Sequence, residues 1–131
     1  MGEFSLQRIL LADDEPDILE IARIALENVG GYEVAVCESG AEFLQLLPDF
    51  KPDLVIIDAL MPDVDGLQVL NEMRSVPGFE DIPAVFLTGL VLDRDLRNLR
   101  ESGAADVITK PFDPMTLSQR IEEVWKVFHA D

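Results

Sequence analysis

The sequence predicts an α/β protein built on one parallel sheet. Three observations carry this. Short apolar runs alternate five times with stretches of helical spacing. Two of the runs, Ile9–Ala12 and Leu54–Ile57, are apolar throughout, which suits strands buried on both faces. Four runs end in polar residues of distinct chemistry: Asp13-Asp14, Asp58, Thr88 and Lys110. In a parallel sheet those ends share one edge, where open α/β sheets carry their chemistry.

Arg8–Asp14 reads RILLADD, a strand with an acidic end. Pro16 follows in a first helical turn, where its missing N–H costs nothing. Ile18, Ala22, Ala25 and Val29, widened by Leu19 and Leu26, form the apolar stripe of that helix, and Gly30-Gly31 ends it. Tyr32–Cys37 alternates as a second strand. Ser39 and Glu42 fit a capping box, Phe43, Leu44 and Leu47 face inward, and Pro48 closes the helix. Pro52–Gly66, PDLVIIDALMPDVDG, is the central stretch. Its strand delivers one carboxylate, Asp58, which must stand at the strand's end because an unpaired charge cannot lie inside. Turn residues Pro62, Asp63, Asp65 and Gly66 follow. A helix over Leu67–Arg74 turns Leu67, Leu70 and Met73 inward. After a loop, Ile82–Leu87 is a strand with Pro83 tolerated near its start, ending at Thr88-Gly89. Leu92, Leu96 and Leu99 make a thin stripe on a fourth helix, and Gly103 sits at its end. Ala105–Thr109 is the last strand and runs into Lys110-Pro111. Asp113-Pro114 caps the last helix, whose inner face is Leu117, Ile121, Val124 and Phe128, with Trp125 beside them.

Right-handed crossovers leave few topologies for five such units. The flavodoxin-like (βα)5 order 2-1-3-4-5, a three-layer sandwich, fits best and makes the first and third strands neighbours.

A chain of 131 residues is one domain and can bury a core without disulfides or metals. Residues 1–6 read as a disordered N-terminus or an expression remnant, and 7–131 as the domain. The single cysteine, Cys37, reads as a buried small hydrophobe, and its isolation fits a reducing, cytoplasmic setting. The net charge of −16 argues against direct binding to nucleic acid or anionic membranes. No apolar run approaches the roughly 18 residues of a membrane span. His129 sits near the end of a helix, where a cation suits the dipole. One His and one Cys cannot build a zinc site.

Asp13, Asp14 and Asp58 gathered at one edge would repel one another and raise their own pKa values. A cation relieves this. All-oxygen ligands with room for water suit Mg²⁺, with Mn²⁺ able to take its place, and a backbone carbonyl after Asp58 could complete the site. Asp58 can then act as a phosphoryl acceptor. Lys110 supplies a cation, the Thr88 hydroxyl a hydrogen bond, and Gly89 leaves space. Singly, each residue has a plain structural role as helix cap, ion-pair partner or strand end. Four suitable residues at four strand ends are harder to explain that way.

ADDE at Ala12–Glu15, IIDALMPDVDG at Ile56–Gly66, LTG at Leu87–Gly89 and TKPF at Thr109–Phe112 occur in order and correctly spaced. With these motifs the chain resembles the receiver domains of two-component response regulators, in the manner of the chemotaxis regulators, over about Arg8 to Phe128. The resemblance implies a phosphoacceptor rather than an enzyme with turnover. Asp58 would take phosphate from a histidine kinase or histidine phosphotransfer protein. Asp14 and Asp58 would bind Mg²⁺ directly, Asp13 through water and Leu60 through its carbonyl. It also suggests a cis peptide before Pro111. A downstream protein or effector domain would read the surface around the fourth helix, the last strand and the last helix, a face also available for dimerisation. Val107 stands where many members carry an aromatic switch residue.

Three other readings compete. A phosphatase with an aspartate nucleophile needs an acid two residues after it, and Leu60 cannot serve. A protein-interaction module that is not phosphorylated would have lost an acid or Lys110, and neither is lost. A flavin carrier on this fold would want a Ser/Thr/Gly phosphate loop where DDEPD stands.

Overall fold

The computed structural model describes residues 5–89 and 93–129. Five parallel strands form one sheet in the order β2-β1-β3-β4-β5. The strands are β1 (Arg8–Ala12), β2 (Glu33–Cys37), β3 (Leu54–Asp58), β4 (Ala84–Thr88) and β5 (Asp106–Thr109). The helices are α1 (Pro16–Ile24, continued by a π-helical turn Ala25–Val29), α2 (Gly40–Phe50), α3 (Gly66–Arg74), α4 (Asp93–Glu101) and α5 (Leu117–Phe128). This is the flavodoxin-like three-layer fold that the alternation predicts.

Strand periodicity divides the core in two. Ile9, Leu11, Leu54, Ile56, Val85, Leu87 and Ile108 point to one face, against Leu19, Ala22, Ala25 and Leu26 of α1 and Leu117, Ile121 and Val124 of α5. Leu10, Ala12, Val55, Ile57, Ala84, Phe86 and Val107 point to the other, against Phe43 and Leu47 of α2, Val69, Leu70 and Met73 of α3, and Leu99 of α4. With both faces covered, β3 and β4 are buried along their whole length.

Several local expectations need correcting. Val29 is 54% exposed. The π turn adds a residue to the helical period, so the stripe rotates and leaves Val29 outside. Pro48 lies inside α2, whose end is set instead by Lys51 in the left-handed region at φ 54°. Phe50 holds that last turn down by packing on the core and under the Arg8 guanidinium, 4.5 Å from its ring centre. Asp113 does not cap α5. Its Oδ1 accepts from the Met115 N–H at 2.9 Å in a preceding turn, and the helix starts at Leu117. Phe128 is 40% exposed rather than core; it lines an open groove with Ala105 and Asp106 at the start of β5. Trp125 is half-buried against the α1/α5 layer, and Cys37 is buried, its thiol pushed up to about 12 by burial first and then by the charges of Glu42 and Asp63. Leu92 lies outside the described residues.

Candidate functional site

Register brings the four polar strand ends together. Ala12 is level with Ile57, so Asp13 emerges beside Asp58. Asp58 is level with Leu87, and Thr88 with Thr109, so Thr88 and Lys110 follow on the same edge. The Lys110 N–H donates to the Thr88 carbonyl at 2.7 Å, which ties the two together.

Asp58 closes β3 and is only 4% exposed. Its Oδ1 accepts from the Leu60 N–H at 3.2 Å, and its Oδ2 lies 3.5 Å from Lys110 Nζ. Burial is the main force pushing its carboxyl up to about 7, followed by the charge on Asp13; the Leu60 amide and the Lys110 charge oppose. Lys110 Nζ also lies 2.8 Å from Asp13 Oδ2 and 2.8 Å from Glu15 Oε1. Burial disfavours the ammonium, but its hydrogen bonds to Asp13 and Glu15 and the charges of Asp13 and Asp58 outweigh this and raise its pKa. Asp13 is fully buried, and its Oδ1 accepts from the Glu15 N–H at 2.9 Å. Its Oδ2 is held by the Lys110 ion pair.

Carboxylate oxygens of Asp13, Asp14, Glu15 and Asp58 lie within 4.8 Å of one another. Four hard oxygen donors this close suit a small divalent cation. Asp14, Glu15, Asp58, Leu60, Thr88, Gly89 and Lys110 line an open cavity of about 390 Å³. A Cβ at Gly89 would meet no atom of the described residues within 4 Å, and Thr88 beside it is buried. The Leu60 side chain is 58% exposed at the mouth. The Lys110–Pro111 peptide is cis. Val107 is buried in the α2/α3/α4 layer, and its carbonyl accepts from Arg120 at 3.1 Å.

Glu15 joins the site beyond the residues to which the sequence points. Its position next to Asp13-Asp14 was a signal; its pairing with Lys110, 95 residues away, left none.

The family model for the response regulator receiver domain matches residues 9–122. Among curated relatives, an uncharacterised 14.6 kDa protein from the sodA1 3′ region of Leptolyngbya boryana is 34% identical over 94% of this chain and 93% of its own length. The DNA-binding dual master transcriptional regulator RpaA of Synechocystis is 36% identical over 88% of this chain and 48% of its own length. The chain thus spans about half the length of that relative. Two solved structures share the fold. The signal receiver domain of a Syntrophus aciditrophicus signal transduction histidine kinase superposes with a TM-score of 0.82 at 31% identity, over 95% of this chain and 94% of that one. The chemotaxis response regulator CheY4 of Vibrio cholerae superposes with a TM-score of 0.83 at 26% identity, over 92% and 99%. With the sheet order, the acidic edge and the family match in agreement, the chain belongs to the response regulator receiver domains of two-component signalling.

Proposed function

We propose that this domain accepts a phosphoryl group on Asp58 from a histidine kinase or histidine phosphotransfer protein. The observation that carries the reading is the buried Asp58 carboxylate, which closes β3 and lines an open cavity together with Asp14, Glu15 and Lys110. An Asp58 oxygen attacks phosphorus, the P–N bond to the donor imidazole breaks, and its electron pair leaves with the imidazole nitrogen. The Leu60 amide orients the nucleophile, and Lys110 offsets charge on the phosphoryl oxygens. Thr88 and Gly89 line the space that the group would enter. Asp14 and Asp58, with the Leu60 carbonyl and Asp13 through water, would hold Mg²⁺. When bound, that ion neutralises charge on the transferring group. Leu60, two residues after Asp58, cannot serve as the general acid of an aspartate-nucleophile phosphatase. The acidic net charge supports protein partners, rather than nucleic acid, for the domain itself.

Intact-mass spectrometry after treatment with acetyl phosphate and Mg²⁺ tests this. One phosphoryl group is expected, and none after chelation or in Asp58→Asn. Undiminished labelling of the Asn variant would overturn the assignment.

A further inference from the structure

The loop that follows Asp58 is tied to a helix that takes no part in the site. Asp63, in the middle of that loop, accepts from the Gly40 N–H through Oδ1 at 3.1 Å and from the Ala41 N–H through Oδ2 at 3.0 Å. These are the first two amides of α2, which have no acceptor within the helix. The N-cap residue Ser39 satisfies only the third, the Glu42 N–H, at 3.1 Å. Half of the α2 cap is therefore supplied from 22 or 23 residues away. The contact is close as well as polar. A Cβ on Gly40 would stand 2.2 Å from Val64 Cγ1 and 2.8 Å from Val69 Cγ2, so only glycine lets the loop and α3 approach here.

The same short loop carries the Leu60 amide that holds Asp58 Oδ1. Its far end is anchored on α3, where Asp65 Oδ1 accepts from the Gln68 N–H at 3.0 Å and the Gly66 N–H reaches back to the Ala59 carbonyl at 2.8 Å. Between these anchors the crest of the loop has the Asp63 bridge. We propose that Asp63 is a positioning residue for phosphoryl transfer: by clamping the loop to the start of α2 it fixes Leu60 and, through it, the Asp58 carboxylate. The two amides hold the Asp63 carboxyl below its usual range, Gly40 first and then Ala41, so the clamp is charged at neutral pH. Asparagine cannot replace it fully, since its NH₂ would face one of the two N–H donors.

The proposal rests on Asp58 being the acceptor, and the test separates the two. With acetyl phosphate the new bond joins an Asp58 oxygen to phosphorus, and the P–O bond to the acetyl group breaks. Acetate leaves with the electron pair. Rates of this step at saturating Mg²⁺, and the Mg²⁺ affinity, would be compared in wild type, Asp63→Ala, Asp63→Asn and Ser39→Ala. The Ser39 variant removes a cap from the same helix but leaves the loop tied. Asp63→Ala should slow phosphorylation roughly tenfold, as expected for a displaced nucleophile. Asp63→Asn should fall between it and wild type, and Ser39→Ala should match wild type in rate while losing thermal stability. Equal rates in wild type and Asp63→Ala, or equal slowing in Ser39→Ala and Asp63→Ala, would overturn the clamp and leave Asp58 as acceptor. Wild type that takes no label on Asp58 would overturn both.

Discussion

At the scale of single residues, Asp58 is held against its own chemistry. An ordinary aspartate titrates at 3.8, and this one is pushed up to about 7, by burial first and the Asp13 charge second. Between roughly pH 4 and 7 the folded protein keeps a proton that the unfolded chain has released. Stability therefore falls as pH rises through that window, and the loss is complete above the folded value. Asp58→Asn removes the penalty. Urea unfolding at pH 8 should show the variant more stable than wild type by on the order of 1–3 kcal/mol, with the gap closing toward pH 4. Millimolar Mg²⁺ should narrow the gap at pH 8 by stabilising wild type alone. Equal stability of the two proteins at pH 8 without Mg²⁺ would contradict a strained carboxylate. Asp13, Asp14, Asp58, Thr88 and Lys110 were legible in the sequence because each follows an apolar run, and register does the rest. Glu15 on Lys110 and Asp63 on α2 were not, because each pairing is set by loop geometry between distant segments.

At the scale of elements, boundaries were misread wherever a local rule met a packing demand. The π turn after α1, Pro48 within α2 and the turn before α5 are such places. On the proposed function, the helix that would move is α4. Among its described residues only Leu96 and Leu99 pack on the core, and Arg94, Arg97 and Arg100 are exposed. A helix with so few buried contacts shifts at low cost. Val107 is buried and too short to swing between buried and exposed positions, so on the proposed function the signal travels without an aromatic rotamer at this position. Arg120 meanwhile ties α5 to β5 through Asp106 at 3.0 Å and the Val107 carbonyl at 3.1 Å. Amide hydrogen exchange with and without a beryllofluoride mimic of the phosphoryl group should therefore change most over 93–101. An unchanged α4 with a response on a distant surface would contradict this route.

At the scale of the molecule, the sheet order was readable because five alternations and right-handed crossovers leave little choice. The order puts β1 beside β3, which makes one acidic edge from residues 45 apart in sequence, Asp13 and Asp58. Charge is uneven: 15 of the 26 acids lie before Gly66, and 7 of the 10 bases after it. On the proposed function, the chemistry of the domain converges on one bond, an acyl phosphate on Asp58. Borohydride reduces an acyl phosphate to an alcohol and so converts the phosphorylated aspartate to homoserine. Peptide mapping after acetyl phosphate, Mg²⁺ and borohydride should find homoserine at position 58 and aspartate at 13 and 14. Homoserine at another position, with Asp58 intact, would contradict the central claim.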